Sequence, residues 1–151
     1  MGQIRVDPNA SNVIPGAVIL TLDVRHQDDS VRRRAVTELQ KQSRSIGAAR
    51  KVKVSGQVVQ QTASVPCSKT LSGILEKAVR QHQPQVLALP SGAGHDAAVL
   101  AGITPVAMLF VRCKSGISHN PLESAKVGDV RIALRVMNDF LQLLATEYAR
   151  L

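Results

Sequence analysis

Apolar and polar positions alternate along residues 17–26: Val18, Leu20, Leu22 and Val24 fall on one face, Ile19, Thr21, Asp23 and Arg25 on the other. A period of two predicts a half-buried strand. It also puts Asp23 and Arg25 on the same side, close enough to share a polar surface. Upstream, Ile4 to Val6 reads as a short strand, followed by the turn chemistry of Asp7-Pro8-Asn9-Ala10-Ser11-Asn12 and of Pro15-Gly16. Downstream, Asp28-Asp29-Ser30 is a helix start, because side-chain oxygens cap free amides and carboxylates oppose the positive end of the dipole. The period then lengthens: Val31, Ala35, Leu39 and Ile46 predict a helix ended by Gly47. Residues 51–65 are strand-like, with Val52 and Val54 on one face and a break at Gly56.

Pro66-Cys67-Ser68 marks a boundary. Ser68 can cap a helix carrying Leu71, Ile74, Leu75, Ala78 and Val79, which stops before Pro84. Residues 85–89 form a short apolar run read as a buried strand. A glycine loop then opens a helix over residues 95–101, closed by Gly102, and residues 106–111 read as a second buried strand. A long helix over about residues 128–149 repeats Val130, Leu134, Met137, Leu141, Leu144 and Tyr148 as a packing stripe. Strand–helix alternation makes residues 66–151 an α/β lobe. Residues 1–65 read strand, strand, helix, strand, most of a small α+β sandwich but short of the two-helix, four-strand unit it is like.

Composition narrows this picture. The chain has 151 residues, enough for one ordinary core or two small lobes, and its hydrophobic fraction of 44% excludes wholesale disorder. Aromatics make up only 2%, so the core is aliphatic and base-stacking platforms for single-stranded nucleic acid are missing. The net charge of +8 comes with no nucleic-acid motif and reads as a basic solvated face, with no nucleic-acid partner. Cys67 and Cys113 stand in no paired motif, which points to a reducing, cytoplasmic setting rather than a disulfide framework. The first residues have no signal-peptide core, Val6 breaks the myristoylation pattern, and no apolar run reaches membrane-spanning length. No membrane partner is expected.

Two histidines follow glycine turns, in Ser91-Gly92-Ala93-Gly94-His95-Asp96 and in Gly116-Ile117-Ser118-His119-Asn120-Pro121-Leu122-Glu123. Backbone amides and an imidazole at a helix start suit an anion, with Asp96 able to orient the ring; a helix-capping structural histidine is the alternative. His119 could bind zinc with Glu123 behind it, or be a plain surface histidine. Arg25 could fork onto a carboxylate or pair with Asp23, and Asn12 could donate to a ligand or serve the turn.

Taken in order, Pro8-Asn9-Ala10-x-Asn12-Val13-Ile14-Pro15-Gly16, Leu22-Asp23-Val24-Arg25-His26, Ser91-Gly92-Ala93-Gly94-His95-Asp96-Ala97 and Gly116-Ile117-Ser118-His119-x-Pro121-x-Glu123 resemble one family. It is the zinc-dependent amidohydrolases that include N-carbamoyl-L-amino-acid hydrolase, allantoate amidohydrolase and β-ureidopropionase (the hydantoinase/carbamoylase group), within the aminopeptidase-like metallopeptidases. The resemblance implies an α/β fold: residues 1–65 as part of an α+β, ferredoxin-like lid (dimerisation) domain, and residues 66–151 as the C-terminal part of the catalytic domain. It implies hydrolysis of the C–N bond of N-carbamoyl amino acids, allantoate or related ureido acids. It makes His119 the last ligand of a dinuclear site of zinc or manganese. It gives Asn12, Arg25, Gly94 and His95 the grip on the substrate's carboxylate or ureido portion. The family's remaining ligands and its general-base glutamate correspond to nothing in this chain, and His26 and His82 match no ligand motif. The chain by itself is therefore expected to be inactive, with an N-terminal half or a dimer through the lid as its partner. A non-catalytic remnant or dimerisation module is the alternative. Cys113 and Lys114 depart from the small polar residues the family pattern has before its last histidine.

Overall fold

The computed structural model describes residues 2–148 and divides the chain into two compact units, Met1–Ser64 and Val65–Leu151. In the first unit, strand β1 (Ile4–Asp7) pairs antiparallel with β2 (Ala17–Leu20), Ile4 facing Leu20 and Asp7 facing Ala17. Gly16 donates to the Asp7 carbonyl at 2.9 Å and closes the intervening loop. The ladder continues only to Thr21, whose N–H donates to Gln3 O at 2.9 Å. The described strand thus stops well short of His26. The expected half-burial also fails. Every residue of β2 is exposed, because among the described residues the ribbon packs against no other element.

Helix α1 (Asp29–Ala49) begins as expected, with Asp28 Oδ1 accepting from Ser30 N at 2.7 Å and Val31 N at 3.3 Å. It does not stop at Gly47. The reversal comes at Lys51, which has φ 55° and lets Lys51 N donate to Ala48 O and Val52 N to Gly47 O, the paired closing bonds of a Schellman cap. Gly47 is buried for a different reason: a Cβ there would lie 2.5 Å from Val54 Cγ2 and 2.7 Å from Val52 O. The returning chain lies directly on the glycine. Residues 51–65 form no ladder among the described residues, although Ser64 N ties back to the Asp29 carboxylate at 3.2 Å.

In the second unit Ser68 caps α2 (Lys69–Arg80), accepting from Leu71 N at 3.3 Å. The expected stripe is the buried face: Ile74, Leu75, Ala78 and Val79 lie inside. Leu75, Ala78 and Val79 meet α4 (Val127–Tyr148) at Val136, which is only 2% exposed. Phe140 and Leu143 complete the contact with Val86, Ala107 and Leu109 from the two apolar runs. The packing face of α4 thus runs through Val136, Phe140 and Leu143, turned from the expected stripe, in which Leu134 and Leu141 are exposed. α4 is apolar most of the way round, so periodicity could not say which side meets α2. Of that expected helix, Ala149 and the Tyr148 side chain lie outside the described residues.

The two apolar runs read as buried strands, residues 85–89 and 106–111, are only partly so: Val86, Ala107 and Leu109 pack against the core, whereas Leu87, Leu89, Phe110 and Val111 are exposed. Neither forms a ladder among the described residues. A strand is defined by its hydrogen-bonded neighbour, and here each run lies against helices. Ser68 N donates to Val106 O at 2.8 Å and pins the second run beside α2. Short helix α3 (Asp96–Leu100) follows the glycine loop. At the far side of the helix pair His82 Nε2 lies 2.6 Å from Asp139 Oδ2, and Lys77 Nζ lies 2.7 Å from Glu147 Oε1.

Candidate functional site

His95 stands at the N-cap of α3 with an extended backbone, and its side chain makes no capping bond. α3 has only five residues, too short for its dipole to matter to an anion. The start of α3 therefore offers an anion no helix dipole, contrary to expectation. The ring is instead held from its own loop: Ser91 Oγ lies 2.6 Å from His95 Nε2, and Ala93 N donates to the same Oγ at 3.1 Å. Phe110 meets the imidazole edge-on, with centroids 6.4 Å apart. Ser91, not Asp96, is the group that touches the ring. Nothing in the sequence pattern singled it out beyond its place four residues before His95. Gly94 is exposed, and a Cβ built on it would meet nothing within 4 Å.

His119 lies in a second loop, spanning residues 113–125. Cys113 and Ala125 form an isolated bridge at its neck, and Lys114 N donates to Ser124 O at 2.7 Å. Inside it a short 3-10 turn, Lys114–Gly116, carries Ser115 at φ 56° and Gly116 at φ 69°. The tip is an Asx turn: Leu122 N donates to Asn120 Oδ1, and Glu123 N to Asn120 O. His119 itself has φ 56° and an exposed side chain.

Glu123 does not sit behind the imidazole. Its Oε2 accepts the His119 backbone N–H at 2.7 Å, and its Oε1 lies 3.6 Å from Cys113 Sγ. The Cys113 thiol is pushed above its usual value, mainly by desolvation and then by the neighbouring Glu123 carboxylate. The residues that depart from the family pattern at the loop neck are therefore part of the bonding that shapes it.

Asn12 and Arg25 belong to the first unit. Asn12 is exposed in the turn between β1 and β2. Arg25 lies beyond the end of β2 and grips Asp23: Nε is 3.0 and 2.9 Å from the two carboxylate oxygens, and Nη2 is 2.5 Å from Oδ2. The pair lowers the Asp23 pKa and raises that of Arg25, through the hydrogen bonds first. The same-side placement expected from the alternation is thus realised outside the ladder, as an exposed ion pair.

Among the described residues, no group of three or more His, Cys, Asp or Glu side chains comes together in a way that could hold a metal ion. His119 contributes one exposed imidazole, and the Glu123 carboxylate is committed to the loop backbone and the Cys113 thiol. No helix among the described residues is long and apolar enough to cross a membrane.

The chain resembles known proteins over nearly its whole length. Allantoate deiminase 2 of Glycine max is 39% identical over 153 residues, which is 96% of this chain and 32% of that protein. The N-carbamoyl-L-amino acid amidohydrolase of Geobacillus stearothermophilus is 34% identical over 137 residues, 91% of this chain and 34% of that protein. The crystal structure of a hydantoinase/carbamoylase family amidase from Burkholderia vietnamiensis superposes with a TM-score of 0.78 at 31% identity, covering 94% of this chain and 35% of that one. The chain therefore spans about a third of the length of the curated relatives it matches. Its mixed α/β fold is that of part of an aminopeptidase-like metallohydrolase, as the motifs implied. The profile of Peptidase family M20/M25/M40 matches residues 4–143, and the chain belongs to that family.

Proposed function

We propose that this chain is the substrate-gripping and closing portion of a metal-dependent amidohydrolase acting on the C–N bond of N-carbamoyl amino acids, allantoate or related ureido acids. The family is metal-dependent and acts on small molecules, and relatives are named for these substrates. The observation that carries the reading is that both motif histidines, His95 and His119, stand exposed in tightly bonded loops of one unit.

In this reading His119 is one ligand of a zinc or manganese pair whose other ligands this chain does not supply. The left-handed backbone at His119 and the Glu123 bond to its N–H fix how the loop presents the ring. His95 and the Gly94 amide hold the substrate's carboxylate or ureido portion. Asn12 and Arg25 grip the carboxylate, since a guanidinium fork matches two carboxylate oxygens and an amide adds a donor. Asp23 holds that fork in place beforehand. Residues 1–65 act as part of the lid and dimerisation domain, and residues 66–151 as the closing part of the catalytic domain. The setting is cytoplasmic.

A second reading, a dimerisation module without catalysis, is favoured by the β1–β2 ribbon, whose Ile4, Val18, Ile19 and Leu20 are all about half exposed or more. Complementation separates the two. The Burkholderia vietnamiensis amidase lacking its matching third is co-expressed with this chain, and with its own excised third as the positive control. Hydrolysis of allantoate or an N-carbamoyl amino acid should appear with the chain and vanish with His119→Ala. Activity in the control but none with this chain would leave only the module.

A further inference from the structure

The imidazole of His95 has two nitrogens, and a neutral ring carries one proton between them. Which one holds it decides whether the ring offers a ligand a donor or a lone pair. Nε2 is already engaged by Ser91 Oγ at 2.6 Å, so the nitrogen left for a ligand is Nδ1. The hydroxyl has one proton to give. It receives the Ala93 N–H at 3.1 Å, and two acceptors compete for its own hydrogen: His95 Nε2 at 2.6 Å and the Ala93 carbonyl at 3.2 Å. At 2.6 Å the contact is shorter than an N–H donor makes to oxygen, about 2.7–3.2 Å, and falls in the range of a hydroxyl donor, so the Ser91 O–H is given to Nε2 and not to the Ala93 carbonyl. Phe110 limits the ring from the side, edge-on at an interplanar angle of 70°.

We propose that Ser91 is a positioning residue that fixes His95 as the Nδ1–H tautomer, so that the ring presents a hydrogen-bond donor. The chain of donors then runs one way: Ala93 N–H to Ser91 Oγ, Ser91 O–H to Nε2, and Nδ1–H outward. This rests on the reading of His95 as a ligand-holding group, and it makes chemical sense of it. A carboxylate and a ureido carbonyl are both acceptors, and the other tautomer would turn a lone pair toward them. The hydroxyl does for this ring what an outer partner does for a ligating histidine: it sets tautomer and orientation without touching the substrate.

The experiment is nitrogen NMR of the full chain, with labelled histidine, at a pH where the imidazole is neutral. The wild type and Ser91→Thr, which keeps the hydroxyl, should show the proton of His95 on Nδ1. Ser91→Ala should move it mostly to Nε2, the form a free imidazole side chain prefers. Ser91 is half-buried in a surface loop, and unchanged signals of His82, which lies just past α2 and contacts Asp139 of α4, report that the unit stays folded. A wild-type ring protonated on Nε2, or a Ser91→Ala ring identical to wild type, overturns the proposal. Adding an N-carbamoyl amino acid tests the site separately. A His95 signal with its proton on Nδ1 that does not shift on addition sustains the role of Ser91 and counts against His95 as a substrate group.

Discussion

The His119 backbone N–H donates to Glu123 Oε2 at 2.7 Å, so the carboxylate that follows this histidine holds the loop and not the ring. Its other oxygen faces the Cys113 thiol at 3.6 Å. The carboxylate is the second cause, after desolvation, of the raised Cys113 pKa. Removing its charge lowers that pKa, and more thiolate is present at any mildly alkaline pH. Glu123→Gln should therefore alkylate several-fold faster at Cys113 than wild type, followed by mass spectrometry of the modified peptide. The desolvation is untouched, so the rate should stay below that of a fully exposed thiol. An unchanged rate would mean that Glu123 does not reach the thiol in solution.

The end of α1 gives a pair of opposite expectations. Lys51 occupies the left-handed position of the Schellman cap at φ 55°, where a Cβ is disfavoured and glycine is not. Lys51→Gly should stabilise the chain by about 0.5–1 kcal/mol. Gly47→Ala should do the reverse. Its methyl would meet the Val52 carbonyl at 2.7 Å, which cannot give way as a side chain can. The overpacking, about 1–3 kcal/mol, outweighs a gain of about 1 kcal/mol in helix propensity. Denaturant midpoints of the two variants should fall on opposite sides of wild type.

What could be read in advance follows from how local each signal is. The Asp28 and Ser68 caps and the α2 stripe of Ile74, Leu75, Ala78 and Val79 are set by side chains within a few residues, and the structure has them where expected. The strands expected at 51–65, 85–89 and 106–111 depended on neighbours that a local pattern cannot supply, and they form no ladder among the described residues. Gly47 was misread because a glycine that ends a helix and one that admits a crossing chain look alike in sequence. Among the candidate residues of the first unit, the Arg25–Asp23 pair was legible from its spacing. The Ser91–His95 contact was not, because it depends on how the glycine turn folds back, and no periodicity encodes that.

Burial predicts a sharp contrast between two isoleucines. Ile74 is 2% exposed within the α2 face, whereas Ile14 is 91% exposed in the turn before β2. Ile74→Ala loses the transfer energy of its side chain and leaves a cavity, about 2–4 kcal/mol. Ile14→Ala should stay within about 0.5 kcal/mol of wild type. Equilibrium unfolding followed by circular dichroism measures both. Equal effects would show that the Ile74 side chain is not buried in solution.

Acid should act first on the start of α1. The Asp28 carboxyl is held below its ordinary value of 3.8, chiefly by the Ser30 side chain and then by the Ser30 and Val31 amides. A carboxyl whose folded pKa is depressed binds fewer protons folded than unfolded. Its stabilisation is therefore complete above the ordinary value and is lost as pH falls through the lower folded value. The Asp23 carboxyl, lowered by Arg25, acts in the same direction. Asp28→Asn keeps a side-chain oxygen for the cap but cannot titrate. Its stability should fall less steeply than wild type as the pH drops below about 4. Asp23 keeps part of the slope in place, and only the double variant with Asp23→Asn should flatten that limb further. Denaturant titrations at a series of pH values test this, and identical acid limbs for wild type and Asp28→Asn would show that the cap is not formed through the charged carboxylate.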